Sequence, residues 1–382
     1  MEQNSVRVLI IFGTRPEAIK MAPLIKTLQR TPGIDPVVCV TGQHQEMLGQ
    51  VMNDFDIKPD IELSVMRNAQ TLPSLTAHLV QVLEPVMQEA YDLVLVHGDT
   101  STAFAAALTA YYAKIPIGHV EAGLRTYDKY APYPEEMNRE WIGRMADIHF
   151  APTPLSARQL ARENRKQHVY VTGNTSIDAL RWTLKKNYHH PLLDQIQPGS
   201  RMIFMTMHRR ENWGLPMEQV FSALREMVGS DKTIELVFPV HPNPLVKNLA
   251  YDLLGGKERI HLTSPLDVID MHNLMSRSYL ILTDSGGIQE EAPTLGKPVL
   301  VLREKTERPE GVKAGTLRCI GTDYEGVKKE TQILLSNEKK YKKMASSRNP
   351  YGDGYASDRI AEIILKYFRE TINGKDERRG KS

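Results

Sequence analysis

Short β-branched, apolar runs alternate with longer amphipathic ones along nearly the whole chain, and that alternation leaves few folds open. The first strand candidates are Val6–Phe12, Pro36–Thr41, Leu93–Val96, Ile115–Val120, Ile148–Ala151 and Val169–Thr172. Helical patterns lie between them at Glu17–Gln29, Glu46–Phe55, Leu72–Glu89, Ser101–Tyr112, Glu136–Met145 and Pro154–Glu163. The rhythm then restarts with Met202–Thr206, Glu235–Val240, Ile260–Leu262, Tyr279–Thr283, Val299–Leu302 and Arg318–Ile320. Strands with no polar face need cover on both sides, as parallel strands joined by helical crossovers have it. Two such series predict an α/β protein of two doubly wound, Rossmann-like domains with a ligand cleft between them.

Length agrees, because 382 residues exceed one ordinary core at roughly 150 residues per domain. The first series ends near Thr172–Thr175, which predicts one domain over 1–173 and a second over 174–352. A turn-rich break, NPYGD, covers Asn349–Asp353. Beyond it Ile360, Ile363, Ile364, Tyr367 and Phe368 recur at helical spacing. A helix over 353–372 is therefore expected to bury that stripe by packing back on the first domain. The remainder, 373–382, holds the mixed-sign run KDERRGK and is expected to be an unstructured tail.

Composition narrows the partners. Lys and Arg total 48 against 46 acids, a formal charge of +2, which gives no broad field for a nucleic acid. No apolar stretch reaches the ~18 residues of a membrane span. The start, MEQNSVRVLIIFGTRPE, lacks the order of a signal peptide, and Cys39 and Cys319 cannot build a disulfide framework. A soluble cytoplasmic protein with no membrane or nucleic-acid partner is expected.

Absent motifs prune the chemistry. The first strand runs into GTRPE (Gly13–Glu17) rather than G-x-G-x-x-G, so hydride transfer with a dinucleotide is disfavoured. Asp54–Phe55–Asp56 has the form of a metal-binding D-x-D, but three residues match readily by chance. Neither a metal nor an organic cofactor is expected.

The informative residues sit at strand C-terminal ends, where open α/β sheets bind ligands. In Thr283–Asp284–Ser285–Gly286–Gly287 two glycines at a helix start let backbone N–H groups approach a phosphate. Glu291, one turn on, can accept both hydroxyls of a ribose; a plain helix cap with surface acids is the alternative. Arg15 can fork onto a phosphate and Lys20 adds a mobile charge, unless the pair merely opens a helix behind Pro16. Asp99 and Glu121 both end buried strands, and crowded, desolvated carboxylates suit proton transfer near neutral pH. Asp99 could instead cap the helix from Ser101, and Glu135 could pair with Arg139 one turn on. His208, Arg209 and Arg210 open the second series at a strand end, suited to an anionic substrate and a proton. His241, between prolines, and Thr306–Gly311 (TERPEG) follow later strands. Together these residues call for a ligand with phosphates and a ribose and a reaction that moves protons: a nucleotide-sugar enzyme.

These motifs carry a resemblance. From GTRPEAIKMAPL through VHGDT, GHVEAGLRT, PYPEEMNR, HRREN, PVHPNP, LTDSGGIQEEAP and TERPEG to NPYGDG, the chain closely resembles the bacterial non-hydrolysing UDP-N-acetylglucosamine 2-epimerases. The resemblance implies a glycosyltransferase-B-like fold and reversible conversion of UDP-GlcNAc to UDP-ManNAc. UDP leaves by anti elimination to give 2-acetamidoglucal, then re-adds after C2 is reprotonated on its other face. It further implies acid–base roles for Asp99, Glu121, Glu135 and His208, with Lys20 and Arg139 as electrostatic support. Arg15, Ser285, Gly286 and Gly287 would hold the diphosphate, Glu291 the ribose, with Gln70 and Met271 also at the substrate. Met271 stands where many members stack a phenylalanine on uracil. The family is usually a homodimer and supplies cell-surface polysaccharides.

Some members bind a second UDP-GlcNAc as activator, and the matching positions are Gln43, Glu136, Arg210 and His241. Glu46 and Ala69 depart from the usual glutamine and arginine there. An added anion and a lost cation beside a diphosphate predict weakened activation. Rival readings are a retaining glycosyltransferase of the same fold, a hydrolysing epimerase and a non-catalytic nucleotide-sugar sensor.

Overall fold

A computed structural model describes residues 5–42, 45–66 and 70–379, apart from the side chains of 45–47 and 371–379. Gln43 and Ala69, and the side chain of Glu46, lie outside the described residues. Two compact units divide the chain, one formed by residues up to Trp182 with those from Gly352 on, the other by Thr183–Tyr351.

The first unit is built on a parallel sheet of seven strands: β1 (Val6–Phe12), β2 (Ile34–Val40), β3 (Ile61–Glu62), β4 (Leu93–His97), β5 (Ile117–Val120), β6 (Ile148–Ala151) and β7 (Val169–Val171). Their order is β3-β2-β1-β4-β5-β6-β7, so the direction of winding reverses between β1 and β4. The second unit holds six parallel strands: β8 (Arg201–Thr206), β9 (Ile234–Pro239), β10 (Ile260–Thr263), β11 (Leu280–Thr283), β12 (Val299–Val301) and β13 (Leu317–Cys319). Their order, β10-β9-β8-β11-β12-β13, reverses between β8 and β11. Helices flank both sheets. The central strands are apolar along their middles because both of their faces are covered; Leu9, Ile10, Ile11, Val94, Val96, Ile203, Phe204 and Leu282 are fully buried. This is the two-sheet, doubly wound α/β architecture that the alternation predicts.

Departures have local causes. The helix expected over Leu72–Glu89 ends at Leu83, and a short 3-10 turn, Val86–Gln88, follows Pro85, which cannot continue an α-helix. Strand β3 was not anticipated, since two residues carry no periodicity. Residues from 174 on, expected in the second domain, begin with a helix, Thr175–Thr183, that belongs almost wholly to the first unit. Buried Asp178 on it accepts the Ala356 and Ser357 N–H groups at 3.2 and 3.3 Å, tying it to the start of the C-terminal helix. That helix, Ala356–Arg379, packs on the helix Arg15–Arg30 and buries Ile360 and Ile364. It continues past residue 373, where the apolar stripe stops.

Candidate active site

In the first unit the site begins where β1 turns into the helix Arg15–Arg30. Gly13 is required by close approach: a Cβ there would lie 2.2 Å from Thr41 Oγ1 and 2.7 Å from Thr102 Oγ1. Thr14 and Glu17 form a capping box at the helix start. The Glu17 carboxylate is buried and accepts from Gly13 N, Thr14 N and Thr14 Oγ1, and also from Thr100 Oγ1 at 2.7 Å. Burial pushes its pKa up, while those hydrogen bonds pull the other way. Glu17 thus binds the turn after β1 to the turn after β4. Sequence reading passed over it, although the T-x-x-E spacing signals it. Arg15 opens the same helix and is half-buried.

Lys20, one turn further along, pairs with Glu121 Oε2. Glu121 follows β5 with φ of 62°, a left-handed conformation that an L residue adopts at a cost. The same oxygen accepts from Asn174 Nδ2 at 2.9 Å and lies 3.8 Å from His97 Nε2. Burial pushes the His97 pKa down to about 4 despite the nearby Glu121 carboxylate, so the imidazole is neutral at pH 7. His119 is held down to about 3 by burial; its Nε2 lies 2.7 Å from the Gly98 carbonyl oxygen.

Asp99 does not cap the helix Ser101–Tyr112. Thr100 does, its Oγ1 accepting from Ala103 N at 3.0 Å. The Asp99 carboxylate instead meets Arg139 Nη2 at 2.5 Å. Burial raises its pKa, Arg139 opposes, and the Glu121 and Glu135 charges raise it further. Arg139 pairs with Asp99 and, at 3.3 Å, with Glu136 rather than with Glu135. Glu135 begins the helix Glu135–Met145 and is half-buried. Lys20, Asp99, Glu121, Glu135 and Arg139 therefore share one neighbourhood at the sheet's C-terminal edge.

The resemblance puts Glu136 beside a second ligand. It is fully buried, and Oε1 accepts from Thr126 N and Tyr127 N, both at 2.8 Å. It holds the loop before the helix, which one-residue spacing from Glu135 could not reveal. Gln70 donates to the Val65 carbonyl at 3.0 Å. Asp56 of the D-x-D is exposed and lies 3.6 Å from Lys26. Among the described residues no three His, Cys, Asp or Glu side chains gather as metal ligands.

In the second unit Asp284 follows β11. Its buried carboxylate accepts from His208 N and Arg209 N at 2.9 Å and from Asn212 Nδ2 at 2.9 Å. That fixes the turn after β8 and presents the partly exposed His208 ring, stacked 5.7 Å from His241. Burial lowers the His241 pKa, and the neighbouring His208 lowers it further. Arg210 is exposed, 5.9 Å above the Trp213 ring. Arg209 reaches Glu307, whose pKa burial would raise but which Arg308, Arg303 and Arg209 hold down to about 2. Ser285 precedes the short helix Gly286–Glu291, and the Arg308 guanidinium lies where a Cβ on Gly286 would be, 2.9 Å from it. Glu291 is nearly buried, 3.3 Å from His272 Nε2. Half-buried Met271 packs on the apolar cluster around Leu274 and Ile288. Asp284 and Arg308 were within the motifs read from the sequence but received no role, because their partners come from distant turns.

The family model of UDP-N-acetylglucosamine 2-epimerase matches residues 26–365. The chain belongs to this family. These are isomerases. A Bacillus subtilis (strain 168) UDP-N-acetylglucosamine 2-epimerase is 52% identical over 367 residues, 96% of each chain. Among solved structures, S. aureus MnaA with UDP is 49% identical with a TM-score of 0.88, covering 95% of this chain and 97% of that one. UDP-GlcNAc 2-epimerase from Neisseria meningitidis bound to UDP-GlcNAc is 46% identical with a TM-score of 0.86, covering 94% and 100%. The two parallel sheets with flanking helices match this glycosyltransferase-B-like fold. Among the described residues no helix is long and apolar enough to cross a membrane.

Proposed function

We propose that the chain interconverts UDP-GlcNAc and UDP-ManNAc without releasing free sugar. The carrying observation is the pair of desolvated carboxylates, Asp99 and Glu121, each set against one cation, Arg139 and Lys20. Burial makes Asp99 easier to protonate, and the cations limit the charge left on either group. In the forward direction a base takes the C2 proton, the C1–O bond breaks, and UDP departs with its electron pair. The product is 2-acetamidoglucal with a C1=C2 double bond. UDP then attacks C1 while an acid delivers a proton to the opposite face of C2.

Asp99, Glu121, Glu135 and His208 form the acid–base set in this reading, with Lys20 and Arg139 as support. Arg15, Ser285, Gly286 and Gly287 hold the departing diphosphate, Glu291 the ribose, and Met271 and Gln70 the remaining nucleotide sugar. Arg210 and His241 are too exposed to serve the fold alone and suit a second nucleotide sugar. The buried state of Glu136, with Glu46 and Ala69 in place of the usual residues, argues for little substrate activation, and sigmoidal kinetics would reject that. We further propose a cytoplasmic homodimer that supplies a cell-surface polysaccharide.

The test is incubation with UDP-GlcNAc in deuterated water, followed by NMR. Deuterium at C2 in intact UDP-ManNAc is expected. Release of free ManNAc, or turnover without exchange, overturns the assignment.

A further inference from the structure

We propose that Asn174 is a positioning residue for proton transfer by Glu121; this rests on the role given to Glu121 above. Three segments converge on one carboxylate oxygen. Glu121 Oε2 takes Lys20 from the helix after β1, Asn174 from the turn after β7, and faces His97 at the end of β4. Lys20 contributes charge, but its long, flexible side chain does not fix a carboxylate's orientation. His97 Nε2, at 3.8 Å, makes no hydrogen bond in the structure. Asn174 adds a directed donor from a short, buried side chain.

Its amide cannot turn over without loss. Asn174 Oδ1 accepts from Ser176 N at 3.0 Å, which leaves Nδ2 to donate to Glu121 at 2.9 Å. The side chain is 4% exposed. Its backbone is held in turn, since Arg359 on the C-terminal helix donates to the Thr172 carbonyl at 3.0 Å, and Thr172 N donates to the Ala151 carbonyl at 2.9 Å. Glu121 itself has a left-handed backbone at φ 62°, a conformation that persists only where its surroundings impose it. A neutral donor suits this place: it orders the carboxylate without adding a second charge beside Lys20.

The experiment separates this role from plain helix capping. Asn174→Asp keeps the oxygen that accepts from Ser176 N, and aspartate caps a helix start as well as asparagine does. It replaces the donor facing Glu121 by an acceptor. We expect kcat to fall about 30-fold or more, within the range of general acid–base effects, with KM and UDP affinity nearly unchanged, while the added charge beside Glu121 lowers the melting temperature. Asn174→Ser, which also keeps a capping oxygen but loses reach to Glu121, is the second variant should the aspartate fail to fold. A capping residue only would leave Asn174→Ser, which adds no charge beside Glu121, at wild-type kcat, and that result overturns the proposal whatever the aspartate does. Glu121→Gln is run alongside. If it retains wild-type turnover, the role of Glu121 fails; if it is dead while Asn174→Ser is normal, only the present proposal fails.

Discussion

Asp99 and Asp284 occupy equivalent places in the two sheets. Each follows the strand across the reversal of strand order, β4 beside β1 and β11 beside β8. Both belong to stretches that read alike in sequence, an apolar strand, an aspartate and a helix start. Their surroundings differ. Asp284 is fully buried and accepts from two backbone N–H groups and an asparagine, so its carboxylate is committed to holding the turn that carries His208. Asp99 keeps partial access, meets a single arginine, and has its pKa raised by burial with the charges of Glu121 and Glu135 adding to it. Topology supplies the position, and the local donors decide whether the carboxylate builds the site or works in it.

The same substitution in both places should therefore break different things. Asp99→Asn is expected to lower kcat about 1,000-fold, in keeping with loss of a general acid–base group, while UDP affinity by calorimetry stays nearly unchanged. Weak UDP binding in that variant would move Asp99 from proton transfer to ligand contact. Asp284→Asn places an amide N–H₂ among three N–H donors. It should cost about 3 kcal/mol in denaturant unfolding, since buried donors lose their acceptor. Unfolding of Asp284→Asn at wild-type denaturant would erase the distinction between the two aspartates.

How much of this was legible in sequence follows from which interactions are local. Strand positions could be read because a covered parallel strand must be apolar, and β1 and β6 fall where the pattern puts them. The capping role of Thr100 is a local rule; it removes capping as the alternative reading of Asp99. The pairing of Arg139 with Asp99 was not readable, because it joins residues brought together only by the neighbouring places of β4 and β5 in the sheet. Glu136 carries a role that adjacency could not show either, since its carboxylate faces two backbone N–H groups ten and nine residues away in the chain. Asn174 and Asp178 were hidden for the same reason as Arg139: each acts on a residue far away in the chain, Glu121 in one case and the start of the C-terminal helix in the other.

Asp178 offers the finest test of what separates the two aspartates. Like Asp284 it is buried and accepts two backbone N–H groups, yet burial raises its pKa to about 7, with Asp358 adding to the shift and Ser357 N, Ala356 N and Arg181 opposing it. A carboxyl whose folded pKa lies above its unfolded value stabilises the fold fully below the unfolded value, and that contribution is lost as pH rises through the folded one. Between pH 4 and 7 the first unit should therefore lose stability on the order of 2 kcal/mol from this group. Asp178→Asn keeps an oxygen for the Ala356 and Ser357 N–H groups and removes the charge. Its unfolding free energy should be flatter across that interval and should exceed that of the unaltered protein at pH 8. An unchanged slope in Asp178→Asn would mean that two N–H donors suffice to keep a buried aspartate ionised, as they would at Asp284.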